Sequence, residues 1–275
     1  MRTRLVLVHG SRVSGVQWAA HRRWLEPEFE VLTPDLPGHG NDEPFTMAGA
    51  LEAVAAAVES VGPAVDGSGA EEPADGDSTA IGEPVVLVGH SLGGYVAMEY
   101  AAAYPNRLAG LVTIGAAAQP RGPGAAAYRA LAVITDRAGR ERMTRFNDRA
   151  LARMAAPEVF AAIHADGYWF DGVRPSWEAV MAGGRPELLR GVSCPVLIVR
   201  GQFDQLGLDA RRYAAAAPNA RIVTVRGASH LLPLTRPWQT SAIIAAFARA
   251  VAGDERSNAV RGTLGPASSE RMAPT

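Results

Sequence analysis

Apolar residues along the chain fall in short runs separated by longer stretches in which they recur at helical spacing. The runs Arg4–Val8, Val31–Thr33, Pro84–Val88, Leu108–Ile114, Pro195–Val199 and Arg221–Val225 predict strands. They are rich in Val, Ile and Leu and show no polar alternation, as strands do when helices cover both faces of a parallel sheet. The stretches Gln17–Leu25, Ala48–Val61, Leu92–Tyr104, Ala210–Ala217 and Thr240–Val251 predict the covering helices, with Pro105 and Pro218 ending two of them. Strand-helix alternation of this kind implies an α/β fold built on a mostly parallel sheet of about six strands.

The rhythm breaks in three places. About eighty residues separate Ile114 from Pro195, far more than the dozen or so a simple crossover needs. That segment carries helix-like runs at Gly124–Asp136, Arg140–Met154 and Pro157–His164, and an aromatic group of Tyr168, Trp169, Phe170 and Trp177. It reads as a helical cap over residues 116–190, inserted into a core formed by residues 1–115 and 191–252. Residues 62–82 are rich in Gly, Ala, Asp and Glu and are expected to form a flexible acidic loop, because they hold too little apolar surface to offset ordering. Residues 253–275 read as a disordered tail for the same reason.

Composition narrows the chemistry. The formal charge is −1, which favours neither nucleic acid nor an anionic membrane as partner. All 27 basic residues are arginine. Schiff-base catalysis and a Walker-type phosphate loop both require lysine, so neither is available. The single cysteine, Cys194, has no partner for an internal disulfide and no companions for a Cys-based metal site. The apolar run Leu5–Val8 is too short for a signal-peptide core, and no stretch approaches the ~20 apolar residues of a membrane span. A cytoplasmic protein is expected.

The sharpest local signal is Gly89-His90-Ser91-Leu92-Gly93-Gly94, which follows one predicted strand directly and opens a predicted helix. This Gly-x-Ser-x-Gly pattern puts a serine on a tight strand-to-helix turn, where its neighbours must be small and the helix N-terminus favours negative charge.

With two more motifs the chain resembles the α/β-hydrolase superfamily, particularly its cap-bearing esterase, perhydrolase and carbon–carbon hydrolase branches. His9-Gly10-Ser11-Arg12-Val13-Ser14-Gly15-Val16-Gln17-Trp18 is similar to the family's His-Gly oxyanion loop. Pro34-Asp35-Leu36-Pro37-Gly38-His39-Gly40 is similar to its Pro-Gly-His-Gly loop. The resemblance extends to about Val251 and implies a triad in the order Ser, Asp, His. Gly201-Gln202-Phe203-Asp204 and Gly227-Ala228-Ser229-His230 resemble the family's acid and histidine turns, which makes Ser91, Asp204 and His230 the expected catalytic residues. Asp209 is the nearest rival acid. The backbone amides of Ser11 and Leu92 are the implied oxyanion donors, with the Ser11 hydroxyl a possible third contact or a solvated group. Trp169, Phe170, Trp177 and Leu231 are substrate-contact candidates, though packing within the cap is the commoner role of such aromatics. Met143, Met154 and Met181 add to an apolar pocket. Arg12 could bind a substrate carboxylate or lie on the surface, and the second reading is preferred. His9 and His39 are expected to brace loops.

The resemblance implies neither cofactor nor metal. A serine nucleophile excludes the epoxide hydrolases and haloalkane dehalogenases of this fold, and the missing lysine excludes plant-type hydroxynitrile lyases. Only three residues precede the His-Gly strand, so the sheet is expected to lack the family's first two strands. The function implied is a serine hydrolase acting on an ester, thioester or lactone of a small to medium apolar molecule. The alternatives are carbon–carbon hydrolysis, perhydrolysis, a lyase or cyclase step with the same triad, and a small-molecule receptor. The expected partner is the small-molecule substrate, with the chain a monomer or homodimer.

Overall fold

The computed structural model describes residues 2–60, 84–119, 133 and 137–263. Six strands form one wholly parallel sheet among the described residues: β1 (Arg4–Val8), β2 (Glu30–Leu32), β3 (Val85–His90), β4 (Gly110–Ile114), β5 (Val196–Phe203) and β6 (Ala220–Ser229). Their order across the sheet is β2-β1-β3-β4-β5-β6. The helices are α1 (Ala19–Leu25), α2 (Met47–Glu59), α3 (Leu92–Ala103), α4 (Arg140–Met154), α5 (Pro157–Asp166), α6 (Val173–Gly183), α7 (Ala210–Ala216), α8 (Leu232–Thr235) and α9 (Pro237–Thr263).

Unbroken apolar strands make sense once the two faces are separated. Successive side chains on a strand point to opposite sides. Val6, Val8, Val85, Leu87, Leu111, Val196 and Ile198 therefore pack with α2, α3 and α7. Their sequence neighbours Leu5, Leu7, Val86, Val88, Val112, Leu197 and Val199 pack with Trp18, Leu25 and the α9 residues Ile244, Ala248 and Val251. Both faces are buried, so both positions in each of these pairs are apolar.

The helices between β4 and β5 attach through a third apolar cluster. Leu151 of α4, Val159 and Ile163 of α5 and Tyr168 meet Val13, Ala20 and Leu234. Backbone bonds reinforce the seam, with Trp169 N–H donating to Arg12 O at 2.9 Å and Ala156 N–H to Leu234 O at 2.9 Å.

Several expected boundaries are corrected. β5 and β6 run past Val199 and Val225 to Phe203 and Ser229, because the two strands continue to pair at their carboxyl ends. The last helix starts at Pro237, where proline is tolerated in the first turn, and runs to Thr263, so the backbone of residues 253–263 is helical. α6 was not anticipated. Its buried Val173, Ser176 and Val180 follow helical spacing, but the aromatic group around them obscured the period. Pro175 sits in its first turn, where the missing N–H costs no helical bond. The expected acidic loop at 62–82, most of the expected helix at 124–136 and the tail beyond Thr263 lie outside the described residues.

Buried histidines hold the loops above the sheet. His9 Nδ1–H donates to Gly10 O at 2.8 Å and its Nε2 accepts from Leu36 N–H at 3.0 Å. His39 Nδ1–H donates to Pro37 O at 3.2 Å. Burial, the main cause in each case, holds His9, His21, His39 and His90 down to about 4, 3, 4 and 3 from an ordinary 6.5. All four are neutral in the fold, whereas in the unfolded chain they take up protons as pH falls below 6.5. Their stabilising effect is therefore complete above that value and is lost as pH falls toward the folded pKa values. The urea midpoint is expected to hold between pH 8 and 7 and to fall steeply between pH 6 and 5. A midpoint unchanged from pH 7 to 5 would contradict this account.

Candidate active site

The serine turn is built by close backbone approach. Ser91 closes β3 with φ 53° and ψ −116°, a region L-residues rarely adopt and which costs about 1–3 kcal/mol. A Cβ on Gly89 would lie 2.2 Å from Gly93 O, and one on Gly93 would lie 2.5 Å from His9 O. The two glycines of the motif thus let α3 sit directly on β1 and β3. Ser91 N–H donates to Ile114 O at 2.8 Å, and Gly94 N–H donates to Ser91 O at 3.0 Å.

Asp204 and His230 arrive side by side because β5 and β6 end together. Past an irregularity at Gly201, Phe203 pairs with Ser229, and each strand delivers its next residue to the same edge. A Cβ on Gly201 would lie 2.4 Å from Ser229 O, so the close crossing depends on that glycine. His230 Nδ1–H donates to Asp204 Oδ1 at 3.0 Å, and Ser91 Oγ–H donates to His230 Nε2 at 3.0 Å. Asp204 Oδ1 also accepts from Leu206 N–H at 2.8 Å. Burial pushes the Asp204 pKa up, but the hydrogen bond and charge of His230, with the Leu206 amide, outweigh it and hold the carboxyl below its ordinary value. It is therefore ionised at neutral pH. Asp209, the rival acid, is engaged elsewhere: it accepts from Gln119 N–H at 2.9 Å and pairs with Arg212 at 3.4 Å.

Three supporting residues were not anticipated. Gly115, with φ 61°, leaves room for the acid–base pair, since a Cβ there would come within 2.9 Å of both Asp204 Oδ2 and His230 Nδ1. A glycine directly after a buried strand was the available signal. His90 Nε2 lies 3.1 Å from the His230 carbonyl, and its Nδ1 lies 3.2 Å from Gln17 Oε1. Gln17 Oε1 also accepts from Gly10 N–H at 3.0 Å. Gln17 and His90 thus connect the loop after β1 to the histidine turn.

Ser91 and His230 open into a cavity of about 370 Å³. Among the described residues, neither Ser11 N–H nor Leu92 N–H donates a hydrogen bond within the protein, and Leu92 is the first residue of α3, where amides lack helical partners. Of the candidate substrate contacts, Trp177 and Leu231 line the cavity, and so does Ser11. Trp169 and Phe170 do not. Trp169 Nε1–H instead donates to Asp166 Oδ2 at 3.1 Å, and Phe170 stacks on Tyr168 and under Arg140. Tyr168 takes the cavity position, together with Phe146, Asn147, Ala150, Leu151 and Met154 from one face of α4. Met143 and Met181 are not on the wall. Arg12, expected at the surface, is on it. A much smaller apolar pocket of about 10 Å³ adjoins Ser91 beside Tyr95, Trp177 and Val180. No helix among the described residues is long and apolar enough to cross a membrane, and no group of three or more His, Cys, Asp or Glu among them is placed to hold a metal ion.

Comparison with known proteins agrees with this geometry. A pimeloyl-[acyl-carrier protein] methyl ester esterase of Xanthomonas oryzae pv. oryzae is 28% identical over 274 residues, covering 90% of this chain and 95% of that protein. Lipase LipV of Mycobacterium tuberculosis is 36% identical over 114 residues, but that match spans only 40% of this chain and 36% of the lipase. Among solved structures, a thermophilic esterase from Thermogutta terrifontis superposes with a TM-score of 0.67 at 26% identity, covering 91% of this chain and 90% of the other. A family model described as the alpha/beta hydrolase family matches residues 5–242. With that match across most of its length, the six-stranded parallel sheet and esterases among its relatives, the chain belongs to the alpha/beta hydrolase family.

Proposed function

We propose that the chain is a carboxylic ester hydrolase that works through an acyl-enzyme on Ser91. The observation that carries this reading is the continuous chain of hydrogen bonds from Ser91 Oγ through His230 to Asp204, both contacts at 3.0 Å, at the floor of a mostly apolar cavity. His230 Nε2 takes the hydroxyl proton as Ser91 Oγ attacks the ester carbonyl, and Asp204 stabilises the imidazolium. The amides of Ser11 and Leu92 receive the oxyanion, and each such donor is typically worth about 10²–10³ in turnover. Collapse of the tetrahedral intermediate expels the alcohol with the proton from His230. Water then deacylates Ser91 by the same route.

Helices α4 to α6 serve as the cap, and the apolar face of α4 packs against the carbon chain of a small to medium ester, thioester or lactone. The small pocket beside Ser91 has room for about one water-sized group, which supports an ester with one short side. The relatives fit this reading, since several are named as methyl ester esterases. The single cysteine supports a cytoplasmic site of action. Rapid mixing with short-chain 4-nitrophenyl esters tests the acyl-enzyme. A burst of nitrophenol close to one equivalent per chain, followed by slower turnover, is expected. Absence of turnover on every ester and thioester offered to the folded protein would overturn the proposal.

A further inference from the structure

Arg12 is the unexplained charge in the cavity. Only two non-glycine residues among those described have positive φ, Ser91 at 53° and Arg12 at 72°. A left-handed arginine is strained by about 1–2 kcal/mol, and a turn that needed only this backbone would favour Gly or Asn. The backbone is pinned from the cap side, where Arg12 O accepts from Trp169 N–H at 2.9 Å. The side chain lines the cavity with Ser91 and His230. Among the described residues it makes no side-chain hydrogen bond and no ion pair, and burial alone lowers its pKa. An arginine stays protonated regardless, so a partly desolvated positive charge stands at the cavity that Ser91 and His230 also line.

Its surroundings match it. Ser11 Oγ, Gln17 Nε2 and Asn147 Nδ2 are buried without a hydrogen-bond partner, and all three residues line the same cavity. Every one of these groups can donate, and no Asp or Glu stands on the described wall. Asp166, the carboxylate beside this loop, is already taken by Ser14 Oγ at 2.8 Å and Trp169 Nε1 at 3.1 Å. Unpaired buried donors are costly in the free protein, and a turn of each side chain toward the cavity would let an acceptor-rich anion satisfy them.

We infer that the substrate carries a carboxylate a few bonds from its ester carbonyl, and that Arg12 binds that carboxylate with help from the neighbouring donors. The substrate class is then a half-ester of a short dicarboxylic acid, or an ester whose alcohol part bears the acid. Arg12 directly follows Ser11, so its side chain starts about 3.8 Å along the backbone from the proposed oxyanion donor, which keeps the carboxylate near the scissile bond. This inference rests on the reading of Ser91 as an esterase nucleophile.

The test compares kcat/KM for matched pairs. Monomethyl glutarate is set against methyl pentanoate, which places the acid in the acyl part, and acetoxyacetate against propyl acetate, which places it in the alcohol part. The anionic member of one pair is expected to lead by about tenfold or more, the usual scale for a hydrogen bond to a charged group, and salt should erode that lead. In Arg12→Met the ratio should fall to about one, with partial recovery in Arg12→Lys. Arg12→Gly relaxes the φ of 72° and supplies a folded variant if the methionine change does not. Reading the ratio within each variant cancels any general damage to the site. Turnover of the neutral esters without preference in the wild type, or a preference that survives in Arg12→Gly, would overturn the inference and leave the esterase reading intact. Turnover of neither series would overturn both.

Discussion

Ser91→Ala is expected to lower ester turnover by about 10⁶, the loss seen when the nucleophile of a triad acting as a unit is removed. The substitution deletes one hydroxyl and little else. Ser91 is buried, its amide still donates to Ile114 O at 2.8 Å, and its carbonyl still accepts from Gly94 N–H at 3.0 Å. The strained φ of 53° is held by those contacts and by the backbone packing around Gly89 and Gly93, none of which involves the hydroxyl. Circular dichroism and the melting midpoint should therefore match the wild type. Any residual rate over water, typically about 10³–10⁴, would be assigned to binding and to the proposed oxyanion donors, the Ser11 and Leu92 amides. Turnover within tenfold of wild type would show that another group attacks the substrate.

Asp204→Asn is expected to cost about 10⁴. Both hydrogen bonds to the carboxylate converge on one oxygen: Oδ1 accepts from His230 Nδ1 at 3.0 Å and from Leu206 N–H at 2.8 Å. Asparagine can offer its carbonyl oxygen to the same two donors, so its shape fits the site. What it cannot supply is charge opposite the imidazolium, and in the reverse orientation its amide would also force the wrong His230 tautomer. The carboxyl is held below its ordinary pKa, so the wild type keeps its charge through the mildly acid range. Measuring kcat/KM against pH for both proteins checks this. Near-full activity in Asp204→Asn would remove Asp204 as the acid of the triad.

The parts legible in the sequence are those set by local geometry. The interior of a strand buried on both faces is apolar, so Leu5–Val8 of β1 stands out from composition alone, while the buried Arg4 at its start is paired with Glu30. The glycines of the serine turn and the one before Asp204 stand where backbones cross within a Cβ radius, and Gly227 before His230 holds a φ of 65°, which made those three motifs informative. Side-chain direction in irregular segments follows no such rule. Tyr168, Trp169 and Phe170 are consecutive, yet only Tyr168 reaches the cavity, because a backbone bond to Arg12 and a hydrogen bond to Asp166 turn Trp169 away. The α4 wall was readable in principle, since Phe146, Ala150 and Met154 are four apart and so share a helix face. Arg12 was the hardest to place. Nothing in its residue type signals a left-handed loop position that aims the side chain inward.

The most direct test of Ser91 as an activated nucleophile is intact mass after exposure to a fluorophosphonate, for wild type and Ser91→Ala side by side. One adduct is expected on the wild type and none on the mutant. An unlabelled, folded wild type, or an adduct that persists in Ser91→Ala, would contradict that role for Ser91.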